Sequence, residues 1–248
     1  IYYPKTMGAA VWSMYDYNRG CCDNICYSGV ADIFRLSKFS LSFFRTQIAE
    51  GSMLPSGKMP YEVFIPAYRD EILYGNVDEV ELVLNGKTIR RQTADKGPDS
   101  DYIPVPNGGN GKNLHFPPFT FYGVPKERGV LKAVGYHQGK KVAEYTVKTP
   151  GVPERLDITY FESGKPATKN DLLIVYVRML DKQGVLCPVN GIPVELSVQG
   201  GEIVGPTSYP LEAGVASFLV RTGEISKINI NATGKGFSTR KSLKVGKE

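Results

Sequence analysis

Residues 78–92 read Asp-Glu-Val-Glu-Leu-Val-Leu-Asn-Gly-Lys-Thr-Ile-Arg-Arg-Gln. Polar Glu79 and Glu81 alternate with apolar Val80, Leu82 and Leu84, the period-two pattern of a strand with one buried face. Asn85-Gly86 follows at once, and the two central residues of a type I′ turn both need positive φ, which Asn and Gly tolerate best. The stretch therefore predicts a β-hairpin returning through residues 87–92.

The same rhythm continues outward. Residues 130–136 and 141–147, separated by Gln138-Gly139, predict a second hairpin. Between the two, residues 93–112 are rich in Asp, Pro, Gly and Asn and read as a long surface loop. Thr149-Pro150-Gly151-Val152-Pro153 reads as an extended linker. Beyond it the pattern restarts, with strand-like runs at 156–161, 172–181, 192–199, 215–221 and 228–233 and a tight-turn signal at Asp181-Lys182-Gln183-Gly184. Turns at such short intervals, drawn from 27 glycines and 17 prolines, predict a mainly β protein built of two successive immunoglobulin-like sandwiches, residues 61–150 and 151–248, with 51–60 as a linker before the first.

Residues 1–50 differ. Residues 7–15 form an almost continuously apolar run, as in a strand buried on both faces of a parallel sheet or barrel. A helix is predicted over 37–48, with Phe39, Phe43, Phe44 and Ile48 on one face and Arg45 and Gln47 outward. One strand and one helix cannot close a barrel, so this segment is expected to complete something larger, and the chain to be the tail of a longer protein.

Composition excludes other classes. Over 248 residues, 42% are hydrophobic and 22% charged, too apolar for a disordered chain. No apolar run approaches the length of a membrane helix, and the first residues lack a signal peptide's basic start and cleavage site. The net charge of +5 is spread along the chain, which argues against a nucleic-acid partner. Cys21, Cys22, Cys26 and Cys187 are too few and too unevenly placed for a disulfide framework, and His115 and His137 are too distant to complete a metal site with them. The cysteines read as a loop pair or simple thiols, and no cofactor or metal is expected. Each histidine reads as a surface or loop residue rather than a base.

Gly8-Ala9-Ala10-Val11-Trp12-Ser13-Met14-Tyr15-Asp16-Tyr17, followed by Ser28-Gly29-Val30-Ala31-Asp32-Ile33-Phe34-Arg35 and Lys38, resembles the last strand and helix of the catalytic TIM barrel in glycoside hydrolase family 2, most closely β-galactosidases of the Bacteroidetes type. Residues 76–87, Phe116-Pro117-Pro118-Phe119 and 131–136 are similar to the sandwich after the barrel, and residues 171–181 and 200–205 to a further C-terminal immunoglobulin-like domain. The resemblance runs through nearly the whole chain in the family's domain order. It implies that residues 1–50 are the end of a TIM barrel.

Family 2 enzymes retain configuration, which takes two carboxyl groups roughly 5–5.5 Å apart, and the resemblance places both glutamates on earlier barrel strands. The first Glu here is Glu50, preceded only by Asp16, Asp23 and Asp32. The resemblance thus implies that the catalytic pair lies upstream of this chain, which alone would be inactive. Read from the residues alone, Trp12 is a core aromatic. The family pattern instead puts it at the end of the last barrel strand, facing substrate with a flat apolar ring. Asp16 and Tyr15, with Tyr17 behind them, are the further substrate-binding candidates. Asp16 is equally suited to holding a loop by hydrogen bonds, and the tyrosines to packing it.

Residues 18–27 then form the loop after that strand. β-Glucuronidases of the family carry Asn-x-Lys thereabouts, whereas Asn24-Ile25-Cys26 lacks the lysine; Arg19 is a cation able to meet a carboxylate. A neutral sugar, galactose first, is the expectation. The implied function is the C-terminal part of a retaining β-galactosidase, periplasmic or secreted, with carbohydrate as substrate and the upstream domains as partners. The sandwiches would buttress the barrel, lend loops to the cleft or mediate oligomer contacts. Tyr61, Tyr68, Tyr74, Tyr102 and Tyr122 read first as half-buried strand residues and second as sugar-stacking platforms. The rival reading is a stand-alone adhesin or carbohydrate-binding module without hydrolysis, which leaves the apolar run 7–15 unexplained. A third is a fragment cut from a longer product.

Overall fold

The computed structural model describes residues 11–18, 20, 24–66, 71–95, 114–161 and 165–246. Expectations resting on residues 8–10, Arg19, 21–23 and 96–112, and on Tyr68 and Tyr102, lie outside those residues. The chain divides into two compact units, Ile1–Thr149 and Pro150–Glu248.

In the first unit, the strands β1 (Tyr17–Asn18) and β2 (Ile25–Cys26) pair as a short hairpin, and helix α1 spans Phe39–Thr46. A second short pair follows, β3 (Met53–Leu54) with β4 (Gly57–Lys58). The sandwich is built from β5 (Val63–Phe64), β6 (Glu71–Gly75), β7 (Glu79–Leu84), β8 (Lys87–Thr93), β9 (Phe119–Phe121), β10 (Val130–His137) and β11 (Lys140–Lys148). One antiparallel sheet runs β11-β10-β7-β8 and the other β5-β6-β9. Val80, Leu82 and Ala133 from the first meet Val63, Leu73, Phe119 and Phe121 from the second. Phe119 and Phe121 are fully buried, a gain of roughly 2–3 kcal/mol for each aromatic taken out of water.

The β7–β8 turn has Asn85 at φ 51 and Gly86 at φ 80, as the primed turn requires. Asn85 is specified further: its Nδ2 donates to the Arg128 carbonyl (3.1 Å) and its Oδ1 accepts from Val130 N–H (2.8 Å), tying the turn to the start of β10. Gln138 at φ 48 and Gly139 at φ 75 close the β10–β11 hairpin the same way.

The second unit is a four-on-four sandwich. Its strands are β12 (Pro153–Tyr160), β13 (Leu172–Asp181), β14 (Pro193–Gln199), β15 (Gly201–Ile203), β16 (Ser208–Pro210), β17 (Val215–Thr222), β18 (Lys227–Gly234) and β19 (Phe237–Lys244). The sheets run β12-β13-β17-β15 and β16-β14-β18-β19, enclosing Ile158, Val177, Met179, Phe218, Ile228 and Ile230. Asp181 at the end of β13 is buried. Its carboxylate accepts from Gly151 (2.7 Å), Gln183 (2.8 Å) and Val185 (2.8 Å) N–H groups. These bonds, Gly151 foremost, hold its carboxyl below the usual range.

Expectations for residues 7–15 and 37–48 are corrected. Residues 11–14 are not a buried strand: Val11 is 61% and Met14 66% exposed, and Tyr15 makes a single parallel bridge, to Ala31. An apolar run is covered only if strands flank it on both sides; residues 28–31 bond to one side of this segment, and no strand among the described residues lies along the other. The helix is shorter than 37–48 because Ser37 bridges Ala31 and Lys38 is extended, φ −88 and ψ 165. Phe39 and Phe44 are exposed, Phe43 packs edge-on to Tyr74 at 5.4 Å, and Thr46 is fully buried. Gln47 is not outward: its Nε2 donates to the Phe116 carbonyl (2.7 Å) and its Oε1 accepts from Phe116 N–H (3.2 Å). At either end of the 149–153 connection, Thr149 N–H bonds Gly129 C=O at 2.9 Å, and Gly151 N–H donates to Asp181 just before Pro153 opens β12.

Candidate functional site

The residues singled out in sequence, Trp12, Tyr15 and Asp16, lie on the segment 11–16, which is laid against residues 28–31 by backbone hydrogen bonds. Val30 N–H bonds Ser13 C=O (3.1 Å), Ala31 N–H bonds Met14 C=O (3.1 Å) and Asp16 N–H bonds Ala31 C=O (3.0 Å). Trp12 stands at the outer end, 72% exposed, with Tyr17 edge-on at 5.9 Å; the Trp12–Ser13 peptide is cis. Tyr15 is also exposed, with the Arg35 guanidinium 5.6 Å over its ring.

Asp16 is placed differently. Its side chain is only 3% exposed and pairs with the Lys38 ammonium at 2.6 Å, while the same Oδ1 accepts from Gly29 N–H at 2.8 Å. Lys38 also donates to the Tyr27 carbonyl at 3.1 Å. Three segments, 16, 27–29 and the start of α1, are thus held around one carboxylate. Of the two roles open to Asp16 in the sequence, the geometry gives it the loop-holding one.

Lys38 and Gly29 stand in the family pattern, yet sequence gave no reason for either. A Cβ on Gly29 would lie 2.3 Å from both Asp16 N and Tyr15 C, so the close approach of the two segments requires glycine. The turn at 32–36 is fastened by Asp32, whose Oδ1 accepts from Phe34 (2.9 Å) and Leu36 (2.8 Å) N–H. This leaves Arg35 at φ 66.

Lys38→Met should loosen this base, because it leaves the Asp16 carboxylate buried with one backbone donor. Removing one partner of a fully buried pair costs roughly 3–5 kcal/mol. Lys38 is 32% exposed, so solvent screening brings the expected local loss to about 2 kcal/mol. Faster amide exchange at 28–38, with the sandwiches unchanged, is the reading that checks it.

The other candidates serve the frame. Tyr61 stacks on His137 at 5.0 Å, and His137 Nδ1 lies 3.1 Å from Asp78 Oδ1. Gln138 N–H donates to Asp78 Oδ2 (2.8 Å); this bond first, then His137, lowers the Asp78 pKa. His137 is therefore a turn clip of the β10–β11 hairpin. His115 packs edge-on to Phe116 at 4.4 Å. Tyr74 packs on Phe43, and Tyr122 is exposed. Cys26 Sγ lies 3.4 Å from Ser28 Oγ, and Cys187 is buried, its thiol pKa raised by that burial. Among the described residues no three His, Cys, Asp or Glu side chains converge as a metal site would need.

A family model described as a domain of unknown function, DUF4982, matches residues 72–143. A β-galactosidase of Thermoanaerobacter pseudethanolicus is 32% identical over 240 residues, covering 88% of this chain and 30% of that protein. A β-galactosidase of Rhizobium radiobacter is 30% identical over 129 residues, 51% of this chain and 92% of the relative. In fold, the chain is similar to the crystal structure of a β-glycosidase from Bacteroides vulgatus, with a TM-score of 0.72 at 16% identity over 94% of this chain and 30% of that one. The chain thus spans under a third of the first of these relatives and of that crystal structure.

Proposed function

The chain belongs to glycoside hydrolase family 2, and we propose that it serves a retaining β-galactosidase by closing the last edge of a catalytic barrel and presenting Trp12 to the sugar. The carboxylate pair would lie on barrel strands outside these 248 residues, as in the family. The observation that carries the reading is a single exposed indole at the end of a segment clamped from behind by Asp16, Lys38 and Gly29. A flat aromatic on a rigid base suits the C–H face of a pyranose. The exposed Val11, Met14, Tyr27, Ile33 and Phe39 belong to the same reading, since large apolar side chains left in water along one stretch of chain ask for a cover, and the barrel would supply it. Tyr15 would line the cleft, and Asp16 would act through the loop it holds. A periplasmic or secreted location belongs to the proposal, supported by the family resemblance alone.

The test starts from the gene's full product, purified and weighed under denaturing conditions, then assayed on aryl β-galactoside and aryl β-glucuronide. A mass well above that of 248 residues, galactoside turnover, and a fall of roughly 30-fold in kcat/KM for Trp12→Ala are expected, the last corresponding to about 2 kcal/mol of lost ring contact. Trp12→Phe should recover part of it. An unchanged Trp12→Ala enzyme would remove Trp12 from the subsite; preference for the glucuronide would replace galactose and point to Arg19.

A further inference from the structure

In the second unit, the outer face of the sheet β16-β14-β18-β19 carries an ordered polar surface. The register sets Gln199, Asn229 and Ser242 in one row, Ser197, Asn231 and Arg240 in the next, and Glu195, Thr233 and Ser238 in a third. Ser242 Oγ donates to Asn229 Oδ1 at 2.6 Å, and Asn231 Nδ2 lies 3.5 Å from Ser197 Oγ. At the far end of the hairpin Lys227 faces Lys244 directly. Like charges opposite one another on a sheet destabilise it, and neither lysine nor Arg240 has an acidic partner among the described residues. The opposite face of β18 explains the fold: Ile228, Ile230 and Ala232 are buried. The outer cations do nothing for it.

We propose that this face binds an acidic polysaccharide. The Lys227–Lys244 pair would share one carboxylate and the Arg240 guanidinium would take another in its planar fork. Lys244 and Arg240 are four residues apart, about 14 Å along a strand, too far to hold one small anion, so the ligand is a chain. The Asn229, Ser242 and Gln199 row between them offers amide and hydroxyl groups to sugar hydroxyls. Single-stranded nucleic acid is the weaker match, because none of these rows holds an aromatic side chain for base stacking. Glu195, at the third row, keeps the anionic chain to the Lys227–Arg240 end.

The choice of a glycan rests on the glycosidase reading, but the face belongs to the second unit and Trp12 to the first, and binding needs no catalysis. Binding of the 248-residue chain to polygalacturonate is measured by calorimetry at low and at moderate salt, with neutral dextran and oligo(dT) as comparisons. Expected are binding that weakens with salt, no binding to dextran, weaker binding to oligo(dT), and a loss of at least 10-fold in Arg240→Ser/Lys244→Ser with an unchanged melting curve. No binding to polygalacturonate at low salt, equal affinity for oligo(dT), or an unaffected double variant would overturn the proposal. The galactosidase assay of the full product is read independently, so the two proposals fail separately.

Discussion

Gly29→Ala should detach the segment bearing Trp12 while leaving both sandwiches folded. The added Cβ would meet Asp16 N and Tyr15 C at 2.3 Å and Ala31 O at 2.4 Å. All three are backbone atoms, so no side-chain rotation relieves the contact, and residues 15–16 must part from 29–31 by more than an ångström. That separation removes the Asp16 N–H to Ala31 C=O bond at 3.0 Å and the Gly29 N–H to Asp16 bond at 2.8 Å, which strands the carboxylate beside Lys38. Overpacking alone costs roughly 1–3 kcal/mol, and with the lost bonds the expected local destabilisation is about 4 kcal/mol. Trp12 is the only tryptophan in the chain, so its fluorescence anisotropy reports this segment and nothing else. Anisotropy should fall, and trypsin should cut faster after Arg35 and Lys38, with the β signal in circular dichroism unchanged. Wild-type anisotropy and cleavage would show that the segment tolerates the methyl group and that Gly29 is not what fixes it. In the full enzyme the same variant should lower kcat/KM on the order of 100-fold, the scale of a 1 Å misplacement near the reacting sugar.

The hairpins were legible because their signals are local. Asn85-Gly86 and Gln138-Gly139 declare positive φ in the sequence itself, and the alternation in 79–84 names the buried side. Strand β19 was missed for the complementary reason. Phe237–Lys244 carries only two apolar residues, Phe237 and Leu243, because it is an edge strand whose inward side is half covered; the Lys235-Gly236 turn, φ 50 and 80, was the signal available. The apolarity of the run at 7–15 points to burial. Apolarity states what a segment needs, not what its neighbours supply, and Val11 and Met14 are exposed. The site divides the same way. Trp12 and Asp16 were visible as residue types in a recognisable pattern. The function of Lys38 depends on a partner 22 residues away, and that of Gly29 on a distance between two backbones, which no residue type announces.

Asn76→Leu should cause the larger loss, and in the sandwich itself. Asn76 is 2% exposed and uses every polar atom of its amide. Oδ1 accepts from Glu62 N–H at 2.6 Å, and Nδ2 donates to the carbonyls of Ile48 at 3.1 Å and Pro60 at 3.0 Å. One side chain thus joins the end of the helical segment, the approach to β5 and the β6–β7 connection. Arg45 with Glu62 adds a partly exposed ion pair on the same route, worth on the order of 1 kcal/mol. Leucine has nearly the same volume, so packing is kept and the three backbone groups are left unpaired, at about 1–3 kcal/mol each. Because Pro60 is exposed and water can reach its carbonyl, about 5 kcal/mol in all is the expectation. Hydrogen exchange of peptides from residues 71–95 should accelerate accordingly, with residues 172–222 in the other unit as the unchanged reference. Asn76→Asp gives the sign. Its carboxylate keeps the bond from Glu62 N–H but turns an oxygen toward two carbonyls, which raises the folded-state pKa above the unfolded one. The penalty is full at neutral pH and is relieved as pH falls through that raised value, where a protonated oxygen donates to one carbonyl. This variant should therefore gain protection in 71–95 on acidification, relative to wild type. If it loses protection instead, the amide is not oriented with its nitrogen toward Ile48 and Pro60, and the three-way junction is held by packing alone.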